Sequence, residues 1–309
     1  MKRTLCLLLA AVILLALCAC GSEGNQPAAT AAPAKKEGPG AWNYFTYPYT
    51  NANGEEAEIN YGVYIPASYD GSAALPLITY IPDSTYVGTK VTRTSNGECP
   101  KYWVTEEKQA ANPAFFLIFS FSNPGATVTQ EGTEAAQIVP IIDKVVAEYG
   151  IDENRLYLTG QSMGGIMDFA LNDAYPDKFA ATLYVGCQPG GEVHDEQYEA
   201  IVANKQYEGQ KFAYIASALD QKAPYGQSDL MAVLDADGIA YGLLEGIDHK
   251  GGEATNSAVQ AVLDQGYSQN FFRFKQVTDN GNGGQEHMQS FQYAYQIDAL
   301  YDWLLAQSK

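Results

Sequence analysis

A serine between two glycines is the residue in this sequence whose surroundings best suit covalent chemistry. The segment Gly160-Gln161-Ser162-Met163-Gly164 follows a predicted strand at residues 155–159 and precedes a helical pattern. A serine on a sharp strand-to-helix turn exposes its hydroxyl, and the residues two positions away must be small because side chains there would collide. The N–H groups that begin the helix, starting with that of Met163, face developing negative charge. The segment predicts a nucleophilic Ser162, although it would also suit a serine that only caps a helix.

A serine hydroxyl becomes a strong nucleophile only when a base takes its proton, and the sequence offers three histidines. They are His194, His249 and His287. The Gly160–Gly164 segment resembles the serine turn of hydrolases in which the acid and then the histidine follow the serine along the chain. The resemblance implies that His194 lies too early. His249 and His287 both follow predicted strands, and His287 also precedes the last helical pattern. Chain order and context therefore favour His287 as the base, with His249 as the alternative.

The acid is expected in the turn after the strand that follows the His194 segment. Asp220 stands at the end of the apolar run that begins at residue 212. Aspartate is also common as a plain turn residue or helix cap, so Asp248 and Asp279 remain as alternatives. Asp220 is predicted to orient His287 and to stabilise the imidazolium that forms during catalysis.

Apolar runs and helical patterns alternate along most of the chain. The predicted strands are residues 59–65, 75–81, 115–121, 155–159, 181–185, 212–216, 239–247 and 271–277. The predicted helices are residues 138–149, 163–174, 228–237, 257–264 and 290–307. This alternation predicts a mostly parallel sheet with helices on both faces.

The wider segment around Ser162 resembles the nucleophile region of polyhydroxybutyrate-depolymerase-like and feruloyl-esterase-like α/β-hydrolases. The resemblance covers most of residues 58–309. The segments that carry it are Ile151-Asp152-Glu153-Asn154-Arg155-Leu156-Tyr157-Leu158-Thr159-Gly160-Gln161-Ser162-Met163-Gly164-Gly165, Tyr64-Ile65-Pro66-Ala67-Ser68-Tyr69-Asp70, Tyr175-Pro176-Asp177-Lys178-Phe179-Ala180-Ala181 and residues 287–307.

The resemblance implies an α/β-hydrolase fold with a mostly parallel central sheet, helices on both faces and a small lid or insertion. Two helix–strand pairs follow Ala218 where this fold needs one, so one pair is expected to be the insertion. The resemblance also implies a carboxylic ester hydrolase that acts through an acyl-enzyme, with Ser162, Asp220 and His287 as its triad and no cofactor. A serine peptidase of the same fold and a non-catalytic cell-surface binding protein remain as alternatives.

The loop after the predicted strand 75–81 departs from the resemblance. It is expected to supply the second oxyanion donor, and where the family usually has His-Gly this chain has Pro82-Asp83-Ser84. Pro82 has no N–H to donate, and a carboxylate facing the oxyanion would repel it. The backbone N–H of Asp83 or Ser84 is therefore the predicted donor, with the Asp83 side chain turned away.

Two side chains are predicted to contact the substrate, a small-molecule or polysaccharide-linked ester. Gln161 adjoins the nucleophile, and Trp103 lies in a predicted loop that borders the cleft. An exposed aromatic ring there would stack on a sugar or a phenolic acid.

The first 40 residues differ in composition from the rest. A basic start and a short apolar run that ends in small residues predict a secretory signal over residues 1–19. The ending Leu17-Cys18-Ala19-Cys20 resembles the bacterial lipobox, which implies that Cys20 carries lipid. Residues 20–40 are rich in Ala, Pro, Gly and Lys and predict a flexible linker. Residues 41–309 are predicted to be the hydrolase domain, anchored by lipid at the extracellular face of the bacterial membrane.

The acidic charge and the cysteine pattern exclude other classes of function. The formal net charge of the 309 residues is -18, which argues against binding to the phosphates of nucleic acid. The chain has no Cys-x-x-Cys pair and no histidine-rich cluster, so no metal site is predicted. Cys99 and Cys187 are the two cysteines of the predicted domain. Export would permit a disulfide between them, but nothing in the sequence shows that they are close.

Overall fold

A mixed nine-stranded sheet forms the centre of the protein in the computed structural model, which describes residues 38–125 and 127–309. The strands are β1 (Ala41–Thr50), β2 (Glu56–Ile65), β3 (Leu77–Ile81), β4 (Phe115–Ser120), β5 (Leu156–Gln161), β6 (Ala181–Val185), β7 (Phe212–Ser217), β8 (Gly242–Asp248) and β9 (Gln269–Gln276). Their order across the sheet is β1-β2-β4-β3-β5-β6-β7-β9-β8. Strands β1 and β2 are antiparallel to their neighbours, and β3 to β9 are parallel. The predicted mostly parallel sheet is confirmed.

Helices cover both faces of this sheet. They are α1 (Val91–Thr94), α2 (Glu98–Trp103), α3 (Glu106–Ala111), α4 (Ile138–Tyr149), α5 (Met163–Ala174), α6 (Glu196–Asn204), α7 (Ala223–Asp237), α8 (Glu253–Leu263), α9 (Gly283–Tyr295) and α10 (Asp298–Leu305). Neighbouring residues of β3 belong to different cores: Ile78 packs with side chains of α9 and α10, and Leu77 packs with those of α4 and α5. Because successive strand residues point to opposite faces, the two cores lie on opposite sides of the sheet.

The helix α4 shows how directly the apolar spacing determines one element. Ile138, Ile141, Ile142, Val145 and Tyr149 are all buried, as expected for one face of a helix with 3.6 residues per turn. Gly150 ends the helix with φ 61°, a left-handed conformation that glycine adopts without steric cost. The predicted bounds and the predicted cap are confirmed.

The extra helix–strand pair is β8 with α8. Strand β9 pairs directly with β7, and β8 lies beyond it at the edge of the sheet, hydrogen-bonded to β9 with an irregular register after Leu244. Gly242 and Ile247 are the buried residues of β8, and Leu244 packs partly buried against the same core as Ile247. The expected insertion is therefore an addition at the sheet edge, away from Ser162, which follows β5.

Several elements differ from the sequence-based expectation. The predicted terminal helix over residues 290–307 is wrong: the structure has two helices, α9 and α10, joined through Gln296 and Ile297. His287 lies inside α9 and does not precede the terminal helix as predicted. The sequence did not predict strand β1, helix α6 or the three short helices between β3 and β4.

Trp103 corrects another expectation. It is the last residue of α2 and is fully buried, with its ring against Tyr295 and Tyr301. Its Nε1–H donates to the carbonyl oxygen of Tyr295 at 3.0 Å. The predicted role of Trp103 as a cleft residue that contacts substrate is wrong, because the packing of α2 on α9 removes the indole from the surface.

The N-terminal predictions, including the signal at 1–19 and lipid on Cys20, lie outside the described residues. Within 38–125 and 127–309, no helix is both long and apolar enough to cross a membrane. Cys99 and Cys187 are both buried free thiols, so the structure contains no disulfide between them.

Candidate active site

Ser162 occupies the turn between β5 and α5 in a strained backbone conformation. Its φ is 51° and its ψ is -119°, a combination that is costly for a residue with a side chain and persists only where packing enforces it. A Cβ on Gly160 would lie 2.4 Å from the carbonyl carbon of Gly164, and a Cβ on Gly164 would lie 1.9 Å from the carbonyl oxygen of Ile81. The turn therefore requires glycine at both positions, as the sequence predicted.

A chain of hydrogen bonds joins Ser162, His287 and Asp220. His287 Nε2 lies 2.8 Å from Ser162 Oγ, and His287 Nδ1 lies 2.7 Å from Asp220 Oδ2. With the proton on Nδ1 donated to the carboxylate, Nε2 is free to accept the proton of the serine hydroxyl. The structure thus brings together the three residues proposed from the sequence, in the geometry that general-base activation of a serine requires.

The loop that carries Asp220 is held in place by its own backbone. Asp220 Oδ1 accepts hydrogen bonds from the N–H of Lys222 at 2.9 Å and of Ala223 at 3.4 Å. Only 1% of the Asp220 side chain is exposed, against 24% for His287. The backbone N–H groups therefore fix the buried Asp220 carboxylate, while the His287 imidazole is partly exposed in the cleft.

The alternative residues lie elsewhere. His249 packs its ring against Tyr293 at 4.5 Å between centroids. Its Nδ1 is 4.0 Å from Asp248 Oδ1, the carboxylate of the adjacent residue. His194 accepts or donates a hydrogen bond with Glu199 at 2.8 Å. Neither histidine has a hydrogen bond to a serine of the part of the chain that the structure describes, so the geometry favours His287 over both.

The loop after β3 turns the Asp83 carboxylate away from Ser162. Asp83 is 3% exposed, and its Oδ1 accepts from the N–H of Thr85 at 2.8 Å while its Oδ2 accepts from Gln161 Nε2 at 2.7 Å. Ser84 lines the cleft together with Ser162 and Met163. The arrangement keeps the negative charge of Asp83 bound inside the protein, and donation by the N–H groups of Asp83, Ser84 and Met163 stays a prediction.

Gln161 has a different place from the one predicted. It is the last residue of β5, is 1% exposed, and uses its side chain to hold Asp83. The predicted contact between Gln161 and substrate is wrong, since alternation along β5 turns its side chain inward while Ser162 faces the cleft. Gln161 instead connects the nucleophile strand to the predicted oxyanion loop.

A second carboxyl group, Asp168 on α5, lies behind the turn. A Cβ on Gly160 would be 2.7 Å from Asp168 Oδ2, and neither oxygen of Asp168 has a hydrogen-bond partner among the described residues. Complete burial raises the pKa of Asp168 well above its usual value. Burial therefore favours the neutral form of Asp168, the form that places no negative charge behind Ser162.

The hydroxyl of Ser162 opens into a cleft of about 320 Å³. The cleft is lined by residues from the segments after β3, β5, β6 and β7 and from helices α5 and α9, namely Ser84, Ser162, Met163, Ile166, Gln188, Gly191, Asp220, Gln221, Lys222, Gly284 and His287. Met163, Ile166 and Gly191 also line a second, largely apolar cavity of about 180 Å³. The remaining walls of that cavity are Pro124, Gly125, Thr127, Val128, Ala135, Met167, Ala170 and Gln197.

Most of these lining residues were not found from the sequence. Gln188 and Gly191 lie in the segment after β6, and Lys222 lies in the loop after β7. No local pattern marks any of the three. Residues that line a cleft without a fixed chemical role carry no spacing rule, so only the fold brings them together.

Comparison with known proteins decides the family. Residues 117–274, more than half of the chain, match the family model described as Esterase PHB depolymerase. The chain belongs to this family. The resemblance drawn from residues 151–165 is therefore confirmed, and with it the expected α/β-hydrolase fold.

Individual relatives in and around this esterase family match over parts of their length. A probable feruloyl esterase C of Aspergillus terreus is 30% identical over 169 residues, which cover 53% of this chain and 60% of the fungal protein. A poly(3-hydroxyalkanoate) depolymerase C of Paucimonas lemoignei is 30% identical over 93 residues, or 30% of this chain and 22% of that protein. The chain thus spans less than two thirds of the length of these relatives.

A solved structure shows the same fold. The crystal structure of a thermostable esterase superimposes with a TM-score of 0.59 and 19% sequence identity, covering 86% of this chain and 63% of that chain. At 19% identity, this similarity shows a shared arrangement of strands and helices and nothing further.

Substitutions at Asp83 test its part in holding the loop after β3. Asp83→Gly removes both hydrogen bonds of the buried carboxylate and is expected to lower kcat for a small ester by about tenfold to hundredfold, as a displaced oxyanion donor does. Asp83→Asn is expected to stay within about threefold, because Oδ1 can still accept from Thr85 and Gln161 can turn its amide, whose Oε1 has no partner among the described residues. Steady-state kinetics of both variants give the comparison, and equal activity of the two would contradict it.

Proposed function

We propose that this protein hydrolyses carboxylic esters through an acyl-enzyme, with Ser162 as the nucleophile, His287 as the general base and Asp220 as the residue that orients it. The hydrogen-bonded chain from Ser162 Oγ through His287 to Asp220 Oδ2 carries the proposal. Membership of the esterase family supports the reaction class.

In the proposed mechanism, Ser162 Oγ attacks the carbonyl carbon of the ester while its proton passes to His287 Nε2. The carbonyl oxygen becomes an oxyanion, which the N–H of Met163 and an N–H of the Asp83–Ser84 loop bind. The tetrahedral intermediate collapses, the alcohol leaves with the proton from His287, and the acyl group stays on Ser162. A water molecule, deprotonated by His287, then attacks the acyl-enzyme, and the carboxylic acid is released as Ser162 regains its proton.

The two cavities suggest how an ester would be divided between them. The apolar cavity of about 180 Å³ adjoins the nucleophile through Met163 and Ile166 and suits an apolar acyl group. The main cleft is more polar, with Gln188, Gln221 and Lys222 in its lining, and suits a hydroxylated alcohol. We propose a small-molecule or polysaccharide-linked ester as substrate, in line with the name of the feruloyl esterase relative.

Three single substitutions test the assigned roles. Ser162→Ala is expected to abolish hydrolysis of a short p-nitrophenyl ester and labelling by a fluorophosphonate, because the attacking oxygen is gone. His287→Ala is expected to lower kcat by at least about three decades. His249→Ala is the matched control and should change kcat by less than about tenfold, since its ring lies against Tyr293. The reverse pattern for the two histidines would refute the assignment, and a wild-type protein without turnover would favour the non-catalytic binding protein.

The proposal that the apolar cavity binds the acyl group can be tested by filling this cavity with a larger side chain. Ala170→Leu adds three carbon atoms to a residue that lines this cavity. It is expected to lower kcat/KM for a long-chain or aromatic acyl ester by at least about tenfold relative to an acetyl ester. Ala174→Leu, at the exposed end of the same helix, is the matched control and should leave the ratio unchanged. An equal loss for both acyl groups in Ala170→Leu would place the acyl group elsewhere.

We also propose that the protein is exported and held at the extracellular face of the membrane by lipid on Cys20, with residues 1–19 removed, 20–40 as linker and 41–309 as the hydrolase domain. The lipobox-like ending of the apolar run supports this proposal. Cys20→Ala is expected to release the protein from the membrane fraction or to block its maturation. Labelled fatty acid that still entered the variant would refute lipid attachment at Cys20.

A further inference from the structure

Another buried carboxylate, Glu286, immediately precedes His287 in the first turn of α9. It is 0% exposed and accepts four hydrogen bonds. Its Oε2 accepts from Ser217 Oγ at 2.5 Å and from the N–H of Val277 at 2.8 Å. Its Oε1 accepts from the N–H of Thr278 at 2.9 Å and from the hydroxyl of the same residue. One side chain therefore joins the helix of the proposed base to the ends of two strands.

The strand ends that Glu286 holds are those that position the rest of the triad. Ser217 is the last residue of β7, and its Oγ also accepts from the N–H of Leu219 at 3.3 Å. Leu219 directly precedes Asp220. Thr278 lies two residues after β9, and its Oγ1 accepts from the N–H of Gly281 at 3.1 Å, which orders the turn before α9. A continuous path thus runs from Glu286 to the Asp220 loop on one side and to the start of α9 on the other.

Glu286 keeps its charge in this environment without a cation. None of the salt bridges among residues 38–125 and 127–309 includes Glu286. Burial acts to raise its pKa, but the hydrogen bonds from Ser217, Thr278 and the backbone of Val277 outweigh it, so the pKa lies below the usual value. An ionised carboxylate accepts at both oxygens and donates at neither, which is what four converging donors require.

We propose that Glu286 is a positioning residue for the proposed triad: its buried carboxylate fixes the first turn of α9 against the ends of β7 and β9, and so sets His287 between Ser162 and Asp220. This inference rests on the proposed function for its effect on turnover. The geometric claim concerns the His287–Asp220 hydrogen bond and is independent of the substrate. Displacements of about 1 Å at reacting groups cost on the order of a hundredfold in rate, so an anchor one residue from the base has a large effect on kcat.

Two substitutions weaken the anchor to different degrees. Glu286→Gln keeps the shape but places an NH2 group against the N–H of Val277 or of Thr278, whichever way the amide turns. Ser217→Ala removes only the link to the Asp220 loop. Glu286→Gln is expected to lower kcat by at least about tenfold with KM changed less than about threefold, and Ser217→Ala to lower kcat by about threefold to tenfold. The downfield proton resonance of His287 Nδ1–H, which reports its hydrogen bond to Asp220, is expected to weaken or shift in both.

Gln269→Met is the matched control, because Gln269 is also buried on β9 and donates three hydrogen bonds, but at the opposite end of the strand. It is expected to lower the melting temperature as Glu286→Gln does while keeping kcat and the His287 resonance. The proposal is overturned if Glu286→Gln has a kcat within twofold of the wild type and an unchanged His287 resonance. It is also overturned if Gln269→Met lowers kcat and weakens the resonance as much as Glu286→Gln does. If Glu286→Gln does not fold, Ser217→Ala decides by the same measurements. If the wild-type protein shows no ester turnover, the proposed function is refuted. The effect of Glu286→Gln on the His287 resonance would then still test whether Glu286 positions His287.

Discussion

The contact between Gly164 and the carbonyl oxygen of Ile81 is the constraint on which the site depends. The backbone of α5 approaches the end of β3 so closely that a single added carbon on Gly164 would lie 1.9 Å from that oxygen. This contact holds Ser162 in a strained conformation. A φ of 51° is unfavourable for serine, and an unconstrained chain would not keep it. It also places the loop after β3, with Asp83 and Ser84, beside Ser162. The strained serine and the position of the predicted N–H donors therefore have one structural cause.

The parallel part of the sheet explains how distant segments of the chain converge. Ser162 follows β5, Asp220 follows β7, His287 follows β9 and Ser84 follows β3. Because these strands run in the same direction, the loops after them meet at one edge. Buried polar side chains then fix these loops to one another: Gln161 binds Asp83, and Glu286 binds Ser217 and Thr278. The core sets the coarse position of each loop, and these hydrogen bonds set the finer one.

Patterns with a strict steric or periodic rule were predictable from the sequence, and those that depend on packing were not. Gly160 and Gly164 were recognisable because the turn tolerates no side chain there, and α4 because its apolar residues recur every three to four positions. Trp103 was misplaced because an indole in a short irregular segment is equally consistent with a cleft and with a core. Only the docking of α2 on Tyr295 shows which applies. The start of α9 was missed because Gly283, Gly284 and Gln285 carry no apolar signal, and the helix begins there through the Asn282 cap, which accepts from the N–H of Gln285.

The division of the cleft from the apolar cavity has a consequence for how such a protein can diverge. The walls that belong to the apolar cavity alone come from the segment around Pro124, Val128 and Ala135, from α5 and from Gln197 of α6. Those that belong to the cleft alone come from the segments after β3, β5, β6 and β7 and from α9. Apart from Met163, Ile166 and Gly191, no residue serves both. Under the proposed function, duplicated copies of the gene can therefore change preference for one half of an ester by drift at the codons of one set of wall residues, while the walls that recognise the other half stay intact.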